Sequence, residues 1–424
     1  MSGDEFNLCW LNAGQSGSFA PRLTQMMRQI GVGDFASRYM SAKGDFFVLR
    51  ADNLRAPAAN ILKQECLSKG AEAAVHAQVI LNQPERSSVL MLATAEQYGR
   101  ICAGLRRQQF GLPLLAAEIA ETLANIRRES WELPLPGGER GKLKMQLSTA
   151  TQIMGILNVT PDSFSDGGSY ASVEQAVARA LEMWRQGAYI IDVGGESTRP
   201  GHQQISTEEE INRVVPVIRA LCAATDDEQR PLISIDTYKP QVAAAALAVG
   251  ADIINDIWGL QYAGDAEQQM ARLAAEKGCP VIVMHNRADV SESLDVACEL
   301  PRFFRRSRQI ARAAGMQDEQ LIFDIGFGFG KTPEQNMQAL AQTAALRALG
   351  RPVLVAASRK STLGLLTGKP VEQRLLATAA TTAQAALSGA ALVRVHDVAE
   401  AADVLAVCRE IYQINIGEKI GEDV

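Results

Sequence analysis

The sequence lacks three features that would each place it outside the cytoplasm. It has no run of eighteen uncharged apolar residues, the length that a transmembrane helix needs. Its first ten residues, MSGDEFNLCW, show no basic segment followed by an apolar one. Its seven cysteines are odd in number and none forms a CxxC pair, which argues against a disulfide framework and a zinc site. We therefore expect a cytoplasmic protein with reduced thiols and no membrane partner.

The sequence also lacks any run rich in lysine and arginine. The net charge is −6 and the isoelectric point is near 5.5, so sequence-independent binding to nucleic acid is not expected. The 424 residues are 47% hydrophobic and 21% charged, an ordinary globular composition in a chain too long for one average domain. Small molecules are the expected partners.

The spacing of predicted strands and helices differs on the two sides of residues 131–144, WELPLPGGERGKLK. Prolines and glycines in this segment interrupt regular secondary structure. We place a domain boundary there and predict three segments. Residues 1–145 form a smaller α/β or α+β domain, with strands at NLCWLNA, DFFVLRA, AAVHAQVIL and SSVLMLAT. No catalytic cluster stands out in it, and we expect a role in oligomerisation or regulation. Residues 146–414 form the second domain, and residues 415–424 form a C-terminal tail.

The second domain alternates short apolar runs with amphipathic helical patterns. The runs are nearly continuous in apolar residues, as is typical of parallel strands covered by helices on both faces. Eight such units fit a (β/α)8 TIM barrel of about 250 residues. An open doubly wound sheet is the alternative. The predicted strands are residues 152–158, 189–195, 231–237, 252–258, 280–285, 321–326, 352–358 and 392–397.

Chemically capable residues concentrate at the ends of these predicted strands. In a TIM barrel the active site lies at the carboxyl ends of the strands, so this bias predicts a common site. A helix cap or loop anchor is the ordinary alternative for any single one of them, but not for so many together. They are Asn158, Asp192, Glu196, Asp236, Asn255, His285, Asp324, Ser358, Lys360, Arg394 and His396.

Two groups among these residues suggest a ligand. Asp236, Asn255, Asp324 and Lys360 combine donors and acceptors, which suits a flat heterocycle with a mixed hydrogen-bonding edge. Arg394 and His396 are two residues apart on one strand, so both can point to the same side and bind an anion.

Glycine-rich loops follow three of the strands. The exits NVTPDSFSDGG and GGESTRPG are long and polar, which favours a pair of lids over the site, and a solvated loop is the alternative. The segment GFGFGKTP lacks the GxxxxGK[ST] spacing of a phosphate loop. We expect its glycines instead to let the backbone approach a flat ligand closely.

Seven motifs in this order closely resemble dihydropteroate synthases of the folate pathway: NVTPDSFSDGG, GGESTRPG, SIDT, NDI, DIGFGFGK, SRKS and RVHD. The resemblance covers residues 150–413 and not the N-terminal third. It implies condensation of 6-hydroxymethyl-7,8-dihydropterin diphosphate with p-aminobenzoate, giving 7,8-dihydropteroate and diphosphate with the help of Mg2+. It also implies a homodimer, the common state of these barrels.

The resemblance assigns roles to residues that match the family motifs. Pterin binding falls to Asp236, Asn255, Asp324 and Lys360, with Met284 packing on the ring. Diphosphate binding falls to Asn158, Arg394 and His396, with Asn158 also a ligand of Mg2+. Phe164 and Asp166 in the first loop and Thr198 and Arg199 in the second close over the site, and Ser361 receives the p-aminobenzoate carboxylate. The implied catalytic residues are Asp166, Asp236, Lys360, Arg394 and His396.

Two positions depart from the family pattern. Ile325 stands where the family usually has proline, and MHNRADV follows the fifth strand where a Met-His-Met type of segment is common. Two other functions use a similar barrel. A methyltetrahydrofolate-dependent corrinoid methyltransferase needs no diphosphate site, and a non-catalytic pterin-binding regulatory protein should have lost loop residues that are present here.

Overall fold

The computed structural model of the protein describes residues 6–11, 20–41, 43–136, 142–147, 151–159, 169–196, 204–225 and 230–416. Within them lie an N-terminal four-stranded antiparallel sheet, a two-stranded hairpin and a closed eight-stranded parallel barrel. The prediction of a TIM barrel preceded by a smaller α/β domain is confirmed. Among the described residues, no helix combines the length and apolar composition needed to cross a membrane.

The N-terminal domain packs helices against a sheet of strand order β1-β2-β4-β3. Strand β4 alternates buried and more exposed residues, because one face of the sheet is covered by helices. Leu49, Leu62, Met91 and Ile101 are fully buried in this core. The strands are β1 Cys9–Trp10, β2 Phe46–Arg55, β3 Glu72–Val75 and β4 Arg86–Thr94, and the helices are α1 Ala20–Gln29, α2 Asp34–Ser41, α3 Ala56–Ser68, α4 Ala95–Leu105 and α5 Leu112–Ile126.

The barrel closes through pairing of its last strand with its first. Each predicted strand is present, although six of the eight are shorter than predicted, by two to four residues. The strands are β7 Gln152–Asn158, β8 Ala188–Gly194, β9 Leu232–Asp236, β10 Ile253–Asp256, β11 Val281–Met284, β12 Leu321–Asp324, β13 Val353–Val355 and β14 Leu392–Val395. The helices between and after them are α6 Ser169–Arg185, α7 Thr207–Ala223, α8 Pro240–Ala248, α9 Gln269–Lys277, α10 Val296–Ala313, α11 Pro333–Ala341, α12 Ser361–Thr367, α13 Leu375–Leu387 and α14 Val398–Ile416.

A hairpin closes the amino-terminal end of the barrel. Strands β5 Ser130–Pro134 and β6 Lys142–Gln146 pair in antiparallel fashion. Trp131 and Leu143 on the hairpin belong to the same buried cluster as Met154 and Ile190, which point into the barrel. The segment interpreted from sequence as a boundary therefore packs against the barrel core. The boundary at residue 145 and the tail at 415–424 stay predictions.

The N-terminal domain lies against helix α10 and the segment before β13. Asn7 Nδ2 donates to the carbonyl of Cys298 at 3.2 Å, and Arg305 Nη1 donates to Asn7 Oδ1 at 2.5 Å. Asn125 Nδ2 donates to the carbonyl of Ala348 at 3.2 Å, and Ala348 joins the N-terminal core. These contacts show an interface with both polar and apolar parts. A role in oligomerisation or regulation stays a prediction.

Trp131 supplies the first testable expectation. Its side chain is buried and its indole Nε1 donates to the carbonyl of Gly350 at 3.0 Å. Trp131→Ala should lower the free energy of unfolding by about 3–5 kcal/mol, the usual cost of truncating a buried aromatic side chain. Urea unfolding measures this change.

The matched control for Trp131→Ala is Glu132→Ala on the outward face of the same strand. Glu132 pairs only with Lys142 in the described structure, at 3.0 Å, and both side chains are more than half exposed. This change should stay within about 0.5 kcal/mol. Equal small effects from both variants would show that the hairpin is not part of the barrel core.

Candidate active site

Several of the predicted site residues lie side by side at the carboxyl ends of the barrel strands. Asn255 is the register partner of Asp236, and Met284 is the partner of Asp324. Asn158 is opposite Gly194, which in turn is opposite Asp236. This register brings the carboxyl ends of neighbouring strands together, which is where active sites of TIM barrels lie.

Arg394 lies between two buried carboxylates, and we call Asp192, Asp236 and Arg394 the arginine cluster. Arg394 Nε donates to Asp192 Oδ2 at 2.6 Å, and Arg394 Nη2 donates to Asp236 Oδ2 at 2.7 Å. Asn255 Nδ2 also donates to Asp192 Oδ2, at 3.1 Å. The cluster therefore joins strands β8, β9 and β14 inside the barrel, and Asn255 links it to β10. Sequence reasoning placed Asp192 at a strand end but gave it no role.

The arginine cluster shifts the pKa of its members. Burial raises the pKa of Asp236 to about 7, although Arg394 acts to lower it. Burial alone would lower the pKa of Arg394, but the charges of Asp192 and Asp236 raise it overall, so the guanidinium stays charged. Asp192 Oδ1 and Asp236 Oδ1 are buried and have no hydrogen-bond partner within the described part of the chain. Both atoms can accept from N–H groups of a ligand.

Asp324 and Lys360 form a second polar group beside the arginine cluster. Asp324 Oδ1 accepts from the backbone N–H of Gly326 at 2.8 Å, and burial raises the pKa of Asp324 to about 6. The Lys360 ammonium lies 4.2 Å from the ring centroid of Phe329. Its charge acts to lower the pKa of both Asp236 and Asp324, which places Lys360 near each carboxyl.

An apolar wall stands next to these charges. Met284 is buried in a cluster with Tyr238 and Ile257, against which Trp258 and Phe329 also pack. The departure from the family pattern after Met284 therefore leaves that side chain in the pocket wall. Ile325 is fully buried, and its N–H donates to the carbonyl of Leu354 at 3.5 Å, a contact that proline cannot make.

The remaining predicted residues lie at the edge of this group. The His396 ring shares a 2.9 Å hydrogen bond between Nδ1 and Ser358 Oγ. Arg394 instead contacts the interior carboxylates, so a joint anion site of these two residues stays a prediction. Ser361 is exposed at the start of α12, and Asn158 is exposed at the end of β7. Phe164, Asp166, Thr198 and Arg199 lie outside the described residues.

Sequence reasoning missed a buried network beside the second loop. Lys239 Nζ donates to Glu196 Oε2 at 2.6 Å, to Glu210 Oε2 at 2.7 Å and to the carbonyl of Ile205 at 2.8 Å. Tyr238 donates to Glu196 Oε1 at 3.2 Å. The network holds the chain just before and just after residues 197–203. The strand-end position of Glu196 was the one sequence signal that could have indicated it.

The donor set for a metal ion is sparse. Among the described residues, no group of three or more histidine, cysteine, aspartate or glutamate side chains could hold a metal ion. Asn158 presents a carboxamide oxygen close to Gly194, whose added Cβ would lie 3.8 Å from Asn158 Oδ1. Mg2+ commonly takes one or two protein oxygens, waters and substrate phosphates. One Asn158 oxygen therefore fits Mg2+ that arrives with a diphosphate.

Comparisons with known proteins agree with this arrangement. The family model described as "Pterin binding enzyme" matches residues 154–396. The dihydropteroate synthase of Clostridium beijerinckii is 46% identical over 261 residues, covering 61% of this chain and 94% of that protein. A Xanthomonas albilineans dihydropteroate synthase structure with 4-aminobenzoic acid gives a TM-score of 0.60 at 42% identity, covering 66% of this chain and 98% of that one. The chain belongs to the pterin-binding enzyme family. The relatives that it resembles within that family are dihydropteroate synthases.

A third relative reaches into the N-terminal domain. The probable bifunctional folylpolyglutamate synthase/dihydropteroate synthase of Haloferax volcanii is 40% identical over 352 residues. That alignment covers 81% of this chain and 40% of the relative. Residues 146–424 alone make up a smaller share of this chain than the alignment covers, so the alignment includes part of the N-terminal domain. The resemblance therefore extends beyond the barrel, to which the sequence motifs had confined it.

The raised pKa of Asp324 predicts a pH-dependent stability. Between its ordinary pKa of 3.8 and about 6, the folded protein holds a proton that the unfolded chain has released. Wild-type stability therefore falls as pH rises through this window, by about 3 kcal/mol from this one group. Asp324→Asn keeps the side-chain oxygen that accepts from Gly326 but cannot ionise.

The variant Asp324→Asn should gain stability relative to wild type between pH 4 and pH 7. Urea unfolding of both proteins at the two pH values measures the gain, and other titrating groups cancel in the comparison. A difference that does not change with pH would mean that burial of Asp324 leaves its titration unaltered.

Proposed function

We propose that the protein condenses 6-hydroxymethyl-7,8-dihydropterin diphosphate with p-aminobenzoate to 7,8-dihydropteroate and diphosphate. The observation that carries the proposal is the arginine cluster, because it sets a fixed cation and two buried carboxyl groups beside Asn255, Asp324 and Lys360. The arrangement offers acceptors for the N–H groups of a pterin edge and donors for its carbonyl. A relative named dihydropteroate synthase aligns with 261 residues of this chain over 94% of its own length.

The carboxyl groups suit the charge that develops on the pterin. Departure of diphosphate leaves a methylene cation conjugated with the ring, so positive charge spreads over the heterocycle. Asp236 and Asp324 are buried, and a carboxylate in a water-poor site stabilises a nearby cation more than it does in water. The apolar wall around Met284 limits access of water to this cation.

Arg394 and His396 are the proposed partners of the departing diphosphate. The Arg394 guanidinium is charged and 14% exposed, so part of it is open to a ligand. Asn158 would hold Mg2+, which neutralises charge on the leaving group when bound. Lys360 adds a second cation at the same end of the barrel.

The second substrate is proposed to lie between the two long loops and α12. Ser361 is exposed at the start of that helix, where its hydroxyl and the adjacent Lys360 can receive a carboxylate. Phe164, Asp166, Thr198 and Arg199 are proposed to close over it. The Xanthomonas albilineans relative was solved with 4-aminobenzoic acid, which supports this choice of substrate.

We also propose that the reaction takes place in the cytoplasm and that the protein is a homodimer. Its seven cysteines are free thiols, a state that the cytosol maintains. Leu365, Leu366 and Leu376 are 59–74% exposed on the neighbouring helices α12 and α13, and such an apolar patch is typical of an interface.

The direct test of the function supplies both substrates with Mg2+ and follows dihydropteroate by chromatography. Product should form only when the pterin diphosphate and p-aminobenzoate are both present. A corrinoid methyltransferase would instead transfer a methyl group from methyltetrahydrofolate and make no dihydropteroate. Pterin binding without either reaction would indicate a non-catalytic protein.

Arg394→Ala should lower kcat/KM by roughly a hundredfold, or about 3 kcal/mol, since it removes a fixed cation from a developing anion. Steady-state assays with varied pterin diphosphate measure the loss. Arg312→Ala is the control, because Arg312 is exposed at the opposite end of the barrel and pairs with Asp318 at 2.6 Å. Turnover of Arg394→Ala at the wild-type rate would contradict the proposed role of Arg394 in stabilising the diphosphate.

The homodimer makes a separate prediction. Light scattering should give a mass twice the 45.7 kDa of one chain. Leu366→Glu should shift the protein toward the monomer because it places a charge in the apolar patch. Ile80→Glu is the control, since Ile80 is 79% exposed in the N-terminal domain. A monomeric wild-type protein, or a dimer indifferent to Leu366→Glu, would contradict this interface.

A further inference from the structure

Lys331 is a buried lysine that the proposed reaction does not use. It is 7% exposed, and it follows the glycine-rich loop of residues 326–330. Its Nζ lies 2.7 Å from His285 Nδ1, 2.9 Å from the carbonyl of Gly326 and 3.1 Å from the carbonyl of Phe329. Burial lowers the pKa of Lys331 to about 7, so the ammonium form prevails below that pH. This form has three N–H donors, and each of them has one acceptor here.

The loop that Lys331 holds has little stiffness of its own. Gly326, Gly328 and Gly330 all have positive φ, at 62°, 87° and 54°, a region that glycine enters without strain. An added Cβ on Gly326 would lie 1.8 Å from the carbonyl oxygen of His285, so the loop packs tightly on the end of β11. A glycine-rich backbone needs contacts from outside to keep one conformation. Lys331, in the segment between β12 and α11, supplies such contacts through the carbonyls of Gly326 and Phe329.

The same loop positions two parts of the pterin site. The N–H of Gly326 orients the Asp324 carboxyl at 2.8 Å, and Phe329 lies beneath the Lys360 ammonium. The carbonyls that Lys331 binds belong to the first and fourth residues of this loop. One ammonium group therefore fixes both the residue that orients Asp324 and the residue that supports Lys360.

The bond to His285 connects the loop to strand β11. Burial lowers the pKa of His285 to about 2, so the imidazole is neutral and its Nδ1 can accept a hydrogen bond from Lys331 Nζ. His285 follows Met284 of the apolar wall directly. Lys331 thus joins the polar and the apolar sides of the pterin pocket.

We propose that Lys331 is a positioning residue for the pterin: it holds the 326–330 loop and β11 in the geometry that Asp324, Phe329 and Met284 need to bind the ring. The inference rests on the proposed function, and it goes beyond that function because it concerns a residue that does not itself touch the substrates. Its specific consequence is that loss of the Lys331 ammonium weakens pterin binding and leaves p-aminobenzoate largely unaffected.

The experiment compares Lys331→Met, Lys331→Ala and wild type. Titration with 6-hydroxymethylpterin, followed by tryptophan fluorescence, measures pterin affinity without catalysis, because Trp258 lies in the pocket wall. Steady-state assays then give KM for each substrate. Lys331→Met should weaken pterin binding and raise KM for pterin diphosphate at least about tenfold, since a small misplacement of binding groups has effects of this size. KM for p-aminobenzoate should stay within about twofold of wild type. Lys277→Met, an exposed lysine, is the control.

Chemical rescue separates positioning from general stability. Lys331→Ala leaves room for n-propylammonium, which should restore pterin affinity in part, whereas n-propanol should not. Unchanged pterin affinity in Lys331→Met would overturn the inference, as would equal losses for both substrates with no rescue by the amine. If wild type itself fails to bind the pterin, the proposed function fails first. If wild type binds and Lys331→Met binds equally well, only the positioning role fails.

Discussion

The catalytic end of the barrel depends on one guanidinium shared by two buried carboxylates. Arg394 on β14 contacts Asp192 on β8 and Asp236 on β9, so the cluster spans the barrel interior across the seam where β14 meets β7. Buried charged groups need oppositely charged partners because they have lost their contacts with water. Removing one partner of such a group typically destabilises a protein by several kcal/mol. The barrel must therefore close in this register for the charges to be satisfied. The same arrangement leaves the charged Arg394 side chain 14% exposed, and it leaves Asp192 Oδ1 and Asp236 Oδ1 buried without a hydrogen-bond partner in the described part of the chain.

Much of this end of the molecule could be predicted from the sequence. Parallel strands covered on both faces are continuous apolar runs, and the first polar residue after each run lies at one rim of the barrel. That argument located Asn158, Asp236, Asn255 and Asp324 before any contact was known. The argument succeeds because the position of a residue along a parallel strand determines how close it lies to the carboxyl-terminal rim of the barrel. This position can be read without knowing which other residues it contacts.

The features that sequence reasoning missed are contacts between residues far apart in the chain. Lys239 joins Glu196 and Glu210, and Lys331 joins His285, but nothing in the local pattern of either lysine indicates a buried ammonium. The hairpin was interpreted as a boundary because its prolines and glycines are typical of linkers. Its alternating Trp131, Leu133, Leu143 and Met145 pack on the barrel only because the barrel end is open and apolar. In each case, contacts formed only in the folded protein determine where the residues lie, and the local sequence does not show them.

The burial of Asp236 and Asp324 suits the proposed carbocation chemistry, because a carboxylate shielded from water interacts strongly with a nearby positive charge. Burial raises the pKa of Asp324 from 3.8 to about 6, equivalent to about 3 kcal/mol against the ionised form. One positive charge about 4 Å away contributes about 4 kcal/mol in its favour at an effective dielectric constant near 20. With a pKa of about 6, Asp324 is already mostly ionised at pH 7, and a cationic pterin beside it more than offsets the effect of burial and lowers that pKa again. The carboxylate then interacts most strongly with the species richest in positive charge, which is the transition state for diphosphate departure.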